Sequence, residues 1–267
     1  NRVLQRMHIN SYKEVESRGL TTKIAKSILN TERNRYIDVL PFDQCRVVLG
    51  SNANGQDSYI NASPVSVRRA HRNYILAQGP LENTCNDFWQ MVWEQKVPAV
   101  IMLNRIVENG RDKCATYFPL ETGQKVEFNE FAVELEKEEQ HQNFVVRKLR
   151  LKKINEGDAS GRAVLHVQYT EWPDFGVPAS TICFLNMLKF IKDQNVLSTF
   201  DDEPPCVVHC SAGIGRSGTF IIVDGVLRMV YSFINFIAIM LLQRFGLIQT
   251  PQQLMFSWHA IIDALQQ

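Results

Sequence analysis

Residues 207–220 read Val207-Val208-His209-Cys210-Ser211-Ala212-Gly213-Ile214-Gly215-Arg216-Ser217-Gly218-Thr219-Phe220, a buried strand running into a loop of small residues and then into a helix. That order builds an anion cradle. Small residues let successive backbone N–H groups converge on one point, and the following helix directs its positive end there. Phosphate is the tetrahedral anion that suits such a ring, which makes Ser211, Ala212, Gly213, Ile214 and Gly215 its candidate donors.

Around this stretch the chain alternates strand and helix patterns. Val100 to Leu103, Val145 to Leu151, Ala163 to Tyr169 and Cys206 to His209 are apolar or alternating runs bounded by Pro, Gly and charge, as strands are. Thr84 to Gln95 reads as a helix opened by a capping Thr, with Phe88 and Val92 on one face. Ser180 to Lys192, Thr219 to Tyr231 and Pro251 to Leu265 are further helices, the last with Pro in its first turn. The polar segments Glu136 to Asn143 and Asn155 to Gly161 read as hairpin or loop tips. With no internal repeat or low-complexity tract, the pattern predicts one α/β domain over residues 1–267, a mixed sheet flanked by helices.

Residues 213–218 also spell G-x-G-x-x-G, the dinucleotide fingerprint. That reading needs an acidic residue about 20 positions on, whereas Phe233 to Leu242 holds no acid. Nor does it use a Cys at the mouth of the loop and an Arg near its end. The spacing of Cys210 and Arg216 gives the loop a different chemistry. A free thiol titrates near about 8.5, and helix N-termini or cations lower such groups to roughly 3.5–7.5. The cradle thus favours a Cys210 thiolate able to attack phosphorus and carry it as phosphocysteine. The planar fork of Arg216 suits two phosphoryl oxygens, and Ser217 is placed to donate to the sulfur as it departs. His209, next to Cys210 on a strand, faces the opposite side and reads as a hydrogen-bonded scaffold residue rather than a base.

Composition sets the frame for this site. The 29 Lys+Arg balance 28 Asp+Glu for a formal net charge of +1, and 45% of the chain is apolar. A balanced charge argues against a nucleic-acid binder. No run of 18 apolar residues and no signal-peptide pattern appears, so the sequence reads as an intracellular, cytoplasmic domain cut from a longer protein. Six cysteines lie too far apart for a zinc ribbon, so free thiols are expected, with no metal.

At residues 209–217 the sequence resembles the tyrosine-specific protein phosphatase family, whose signature is H-C-x-x-G-x-x-R-[ST]. The resemblance continues along nearly the whole chain. Asn34-Arg35-Tyr36, Tyr59-Ile60-Asn61-Ala62-Ser63, Gln78-Gly79-Pro80, Asp87-Phe88-Trp89, Lys113-Cys114-Ala115, Trp172-Pro173-Asp174-Phe175-Gly176-Val177-Pro178 and Gln249-Thr250-x-x-Gln253 match family motifs in order. The wording is most similar to the small intracellular non-receptor members of the type 1 and type 2 kind.

The resemblance implies a highly twisted mixed sheet and the hydrolysis of phosphotyrosine in proteins, with no metal or organic cofactor. Expelling a tyrosyl oxygen calls for an acid. On its own an Asp in a W-P-D-F-G turn is a turn residue; the resemblance makes Asp174 the general acid and then the base, on a loop that swings over substrate. Trp172 is implied as its hinge anchor and Phe175 as a contact of the substrate ring. Gln249 is implied to position the attacking water, with Gln253 beside it, where two glutamines at a helix start would otherwise simply be solvated. Tyr36 becomes the ring-stacking wall that admits a long phenyl phosphate, Val39 its neighbour, and Asp38 the carboxylate that accepts substrate main-chain N–H groups. Lys113 and Glu108, otherwise surface charges, are implied to support Asp174 and Arg216. The competing reading is a pseudophosphatase that binds phosphotyrosine peptides without turnover.

The sequence also departs from the pattern. Only 31 positions separate Gly218 from Gln249, fewer than in most relatives. Met229 to Leu242 carries no charge and is too short for a comfortable membrane span; it reads as a buried helix or a partner surface. Leu241 falls near where related phosphatases carry an arginine for a second phosphotyrosine pocket, so that pocket is not expected. Ser58 and Phe118 replace the commoner Asp and Trp.

Overall fold

A computed structural model describes residues 2–50, 59–154, 161–173, 176–229 and 243–266. Its core is a sheet of eight strands. In chain order these are β1 (Ala62–Val67), β2 (Arg72–Ala77), β3 (Ala99–Met102), β6 (Lys125–Phe128), β7 (Phe131–Gln140), β8 (Phe144–Lys153), β9 (Arg162–Tyr169) and β10 (Cys206–His209), while β4 (Val107–Glu108) and β5 (Arg111–Asp112) form a small separate hairpin. The spatial order is β1-β2-β10-β3-β9-β8-β7-β6. β2, β10, β3 and β9 run parallel at the centre, and antiparallel pairs flank them on both sides. The sheet is therefore mixed, as the alternating pattern predicts.

Buried on both faces, the parallel strands read as continuous apolar runs. Alternate residues feed two cores. Cys206, Val208, Ile101 and Val167 face one core with Phe184, Phe220 and Phe256, while Val207, Val100 and Val164 face the other with Phe88 and Trp89. Those aromatics place α3 (Thr181–Asp193), α4 (Gly215–Arg228) and α5 (Pro251–Leu265) on the first face and α2 (Cys85–Glu94) on the second. A fifth helix, α1 (Arg2–Ser17), joins the first core through Leu4. Among the described residues none of these helices is long and apolar enough to cross a membrane.

Two helix starts follow the sequence closely. Ser180 accepts from the N–H of Ile182, and Thr250 caps α5 by accepting from Gln253, with Pro251 in the first turn. Three expectations need correction. Thr84 does not cap α2: its hydroxyl accepts from the N–H of Leu81 at 2.9 Å and so closes the preceding 3-10 turn. α4 begins at Gly215 rather than Thr219, which puts Arg216 and Ser217 in its first turn, and it stops at Arg228 because Met229 is extended. Glu136 to Gln140 is strand, not a tip, and only His141 to Asn143 turns. The charges there fooled the pattern because they pair across strands, Arg147 with Glu138 and Arg150 with Glu136, both at 2.7 Å. Asn155 to Ser160 and residues 230–242, including Leu241 and the suggested partner surface after Met229, lie outside the described residues, as does Ser58.

Candidate active site

The C-terminal end of β10 delivers Cys210 to the floor of a cavity of about 410 Å³. The loop after it closes tightly. Gly213 adopts φ +71°, and a Cβ there would lie 2.1 Å from the carbonyl oxygen of Ala77, so only glycine fits. This turn aims the Gly213 N–H at Cys210 Sγ, 3.2 Å away. α4 starts immediately beyond, at Gly215, with Arg216 and Ser217 in its first turn. Ser211, Ala212 and Arg216 line the cavity with Cys210. The hydroxyl of Ser217 is enclosed in the first turn of α4 and has no hydrogen-bond partner among the described residues.

Arg216 is already oriented. Its Nη1 and Nη2 donate to Glu108 Oε1 and Oε2 at 2.6 and 2.8 Å, a two-pronged pair. Nη1 also reaches the carbonyl of Leu103 (3.1 Å) and Nη2 that of Pro173 (3.2 Å), while the guanidinium lies 6.0 Å from the centre of the Trp172 ring. Glu108 is thus in contact with Arg216, the residue it is implied to support. Through Nη2 the guanidinium is tied to the Trp172–Pro173 segment.

Trp172 is 2% exposed and packs on Phe184 of α3 and Phe256 of α5. Its Nε1 donates to the carbonyl of Gly176 at 3.2 Å, so it holds both ends of the segment that contains Asp174 and Phe175. Those two residues themselves lie outside the described ones. Gly176 lines the cavity.

On the opposite wall stand Tyr36, Asp38 and Val39. The motifs before and around them explain why Tyr36 is steady. Asn34 Oδ1 accepts from Tyr59 OH (2.7 Å) and Asn61 Nδ2 (3.0 Å), and the Arg35 guanidinium donates to the carbonyls of Gly79 and Pro80. Tyr36 OH then meets Ser211 Oγ at 2.8 Å, joining the wall to the cradle. Glu108, Lys113, Gln249, Thr250 and Gln253 complete the lining. Both glutamine side chains lie over Gly215, where a Cβ would come within 2.4 Å of Gln249 Oε1 and 2.8 Å of Gln253 Nε2. Gln253 is buried and accepts from the N–H of Gln249 at 2.9 Å, whereas Gln249 is exposed toward the cavity.

His209 is fully buried and bonded to Tyr117 OH at 2.7 Å, away from the sulfur. Burial pushes its imidazole down to about 4, with a backbone hydrogen bond at Cys210 partly opposing. Burial pushes the Cys85 and Cys206 thiols up to about 12 and raises those of Cys45 and Cys114 as well.

Arg244 escaped the sequence reading. It is 2% exposed, and its guanidinium donates to the carbonyls of Gly213 (2.8 Å) and Ala212 (3.1 Å), to Ser63 Oγ (3.1 Å) and to Asn61 Oδ1 (3.2 Å). A second arginine therefore holds the cradle from behind, pushed down to about 10 by desolvation. Only its position just after a long apolar run hinted at a buried cation.

A family model described as protein-tyrosine phosphatase matches residues 30–263. The chain is 48% identical over 255 residues to tyrosine-protein phosphatase non-receptor type 2 of Homo sapiens, covering 93% of this chain and 60% of that protein. It is 43% identical over 263 residues to tyrosine-protein phosphatase non-receptor type 61F of Drosophila melanogaster, covering 95% and 47% respectively. It is 39% identical over 249 residues to the human non-receptor type 9 protein. The chain thus spans at most about 60% of the length of these relatives. With the match extending from ahead of Tyr36 into the last turn of α5, the chain belongs to the protein-tyrosine phosphatase family.

Proposed function

We propose that this domain hydrolyses phosphotyrosine in proteins through a covalent phosphocysteine on Cys210. The observation that carries the reading is the meeting at one cavity of Cys210 Sγ, the Gly213 N–H, the start of α4 and the clamped guanidinium of Arg216. A dianionic phosphoryl group set there faces donors already aimed, so little reorganisation accompanies the attack. Sγ bonds to phosphorus as the tyrosyl oxygen leaves, and Asp174 gives that oxygen its proton. In the second step Gln249 orients a water, Asp174 takes its proton, and the S–P bond breaks with Ser217 donating to the departing sulfur. Tyr36 and Phe175 sandwich the phenyl ring, so that a shorter phosphoserine falls short of the cradle. Asp38 accepts main-chain N–H groups of the substrate, and Lys113 supports Asp174.

The test is steady-state hydrolysis of matched phosphotyrosine and phosphoserine peptides, in EDTA with reductant. Turnover of the first alone, abolished by Cys210→Ser, is expected. If the unmodified protein turns over no faster than Cys210→Ser yet binds the phosphotyrosine peptide, the domain is a binder instead.

A further inference from the structure

Six residues other than glycine hold a left-handed backbone among the described residues, and five of them sit at the surface. These are His71, Lys96, Asn109, Asn129 and Asn195, three of them the asparagines that tolerate this region best. Ile248 is the exception, at φ +62°. It is β-branched and fully buried, and it belongs to the core that holds Leu247, Phe220 and Phe256. Such a conformation costs an L residue free energy and persists only where the surroundings over-determine it. Here they act from two sides. α4 passes so close at Gly218 that a Cβ there would lie 3.2 Å from the Ile248 nitrogen and 2.9 Å from Leu247 Cδ2. On the other side, the N–H of Gln249 is fixed to Gln253 Oε1 at 2.9 Å.

We infer that Ile248 is a positioning residue for Gln249: its buried side chain anchors the turn, and its left-handed backbone sets the Gln249 side chain over the start of α4. Glycine would take this φ without strain, yet it would leave the turn with no side chain in the core. Isoleucine carries the strain because its burial fixes where the turn sits. Two neighbours of opposite character result. Ile248 is wholly inside, whereas Gln249 is exposed in the cavity with its Oε1 over Gly215. The left-handed residue turns the chain sharply, which brings Gln249 to the cavity one residue before Thr250 caps α5.

The consequence for chemistry rests on Gln249 orienting the attacking water, as proposed above. Formation of the phosphocysteine gives Gln249 no task. Its breakdown does: the water oxygen bonds to phosphorus, the S–P bond breaks with its electron pair going to Sγ, and Asp174 takes the proton. Misplacing a positioning group by about 1 Å can slow the step it serves by about 10²-fold. Loosening the turn at Ile248 therefore slows the second step and spares the first.

Rapid mixing with an aryl phosphate separates the two steps, since the burst of phenol reports formation of the phosphoenzyme and the following steady rate its breakdown. Ile248→Gly permits the same backbone and removes the anchor. It should slow breakdown by about tenfold or more while formation stays within about threefold, and Ile248→Val, which keeps anchor and backbone, should restore breakdown. Equal slowing of the two steps, or no slowing of either, overturns the proposal. A second readout needs no turnover. Hydrogen exchange at the Gln249 N–H should accelerate by about tenfold or more in Ile248→Gly relative to amides inside α4, and unchanged relative exchange overturns the proposal as well. Ile248→Ala carries the same expectations where the glycine variant does not fold. If the unmodified protein releases no phenol, the hydrolase reading fails, while exchange at Gln249 still decides whether Ile248 holds it.

Discussion

Glu108 holds Arg216 with both carboxylate oxygens, at 2.6 and 2.8 Å, although it sits in a two-residue strand and Arg216 in the first turn of α4. A buried acid so placed fixes the plane of the guanidinium before any ligand arrives. Removing one member of such a pair leaves an uncompensated charge and costs about 3 kcal/mol or more. Glu108→Ala should therefore lower the urea midpoint, and it should lower kcat/KM for a phosphotyrosine peptide by roughly 10²-fold through misplacement of Arg216. Stability lost with kcat/KM unchanged would make the pair purely structural.

Asp174 stands within the segment that Trp172 pins at both ends through Gly176. If it protonates the leaving oxygen, Asp174→Ala should reduce kcat by about 10²- to 10⁴-fold and leave phosphopeptide affinity nearly intact. Calorimetric titration of the variant beside its turnover checks both halves. Unchanged kcat would remove Asp174 from the reaction.

Tyr36 offers a test of substrate depth. Its ring forms a wall of the cavity and its hydroxyl meets Ser211. Tyr36→Phe keeps the wall and loses one hydrogen bond, worth about 1 kcal/mol, so kcat/KM should fall less than tenfold. Tyr36→Ala removes the wall and should raise KM for phosphotyrosine peptides while narrowing their advantage over phosphoserine peptides. Discrimination that survives the alanine would place its origin elsewhere.

The legible part of this molecule is the part whose physics is local. Cys206 to His209 could be read as a strand and Pro251 to Leu265 as a helix because apolar runs, a capping Thr250 and Pro251 lie in sequence beside the elements they set. The cradle was legible for the same reason: Gly213 and Gly215 announce a turn that no side chain could enter. What failed was whatever depends on a distant partner. Glu136 to Gln140 looks like a loop until Arg147 and Arg150 neutralise it across the hairpin. Arg244 reaches the cradle from 31 positions away in sequence from Gly213, and nothing beside it in the chain marks its target. α1, β1, β2, β6 and β7 likewise gave no pattern strong enough to set their bounds.

His209 makes stability depend on pH. Its imidazole titrates near about 4 in the folded protein, against about 6.5 unfolded, because burial opposes the charge. Between those values the unfolded chain binds the additional proton, so stability is full above about 6.5 and falls as pH drops towards 4. His209 alone then removes about 2 kcal/mol between pH 7 and pH 5, and His166, shifted the same way, adds to the loss. Urea unfolding at the two pH values should show it. His209→Gln cannot titrate, so although less stable at pH 7 it should lose less on acidification. Equal losses in both proteins would mean that His209 is already protonated in the folded state at pH 5.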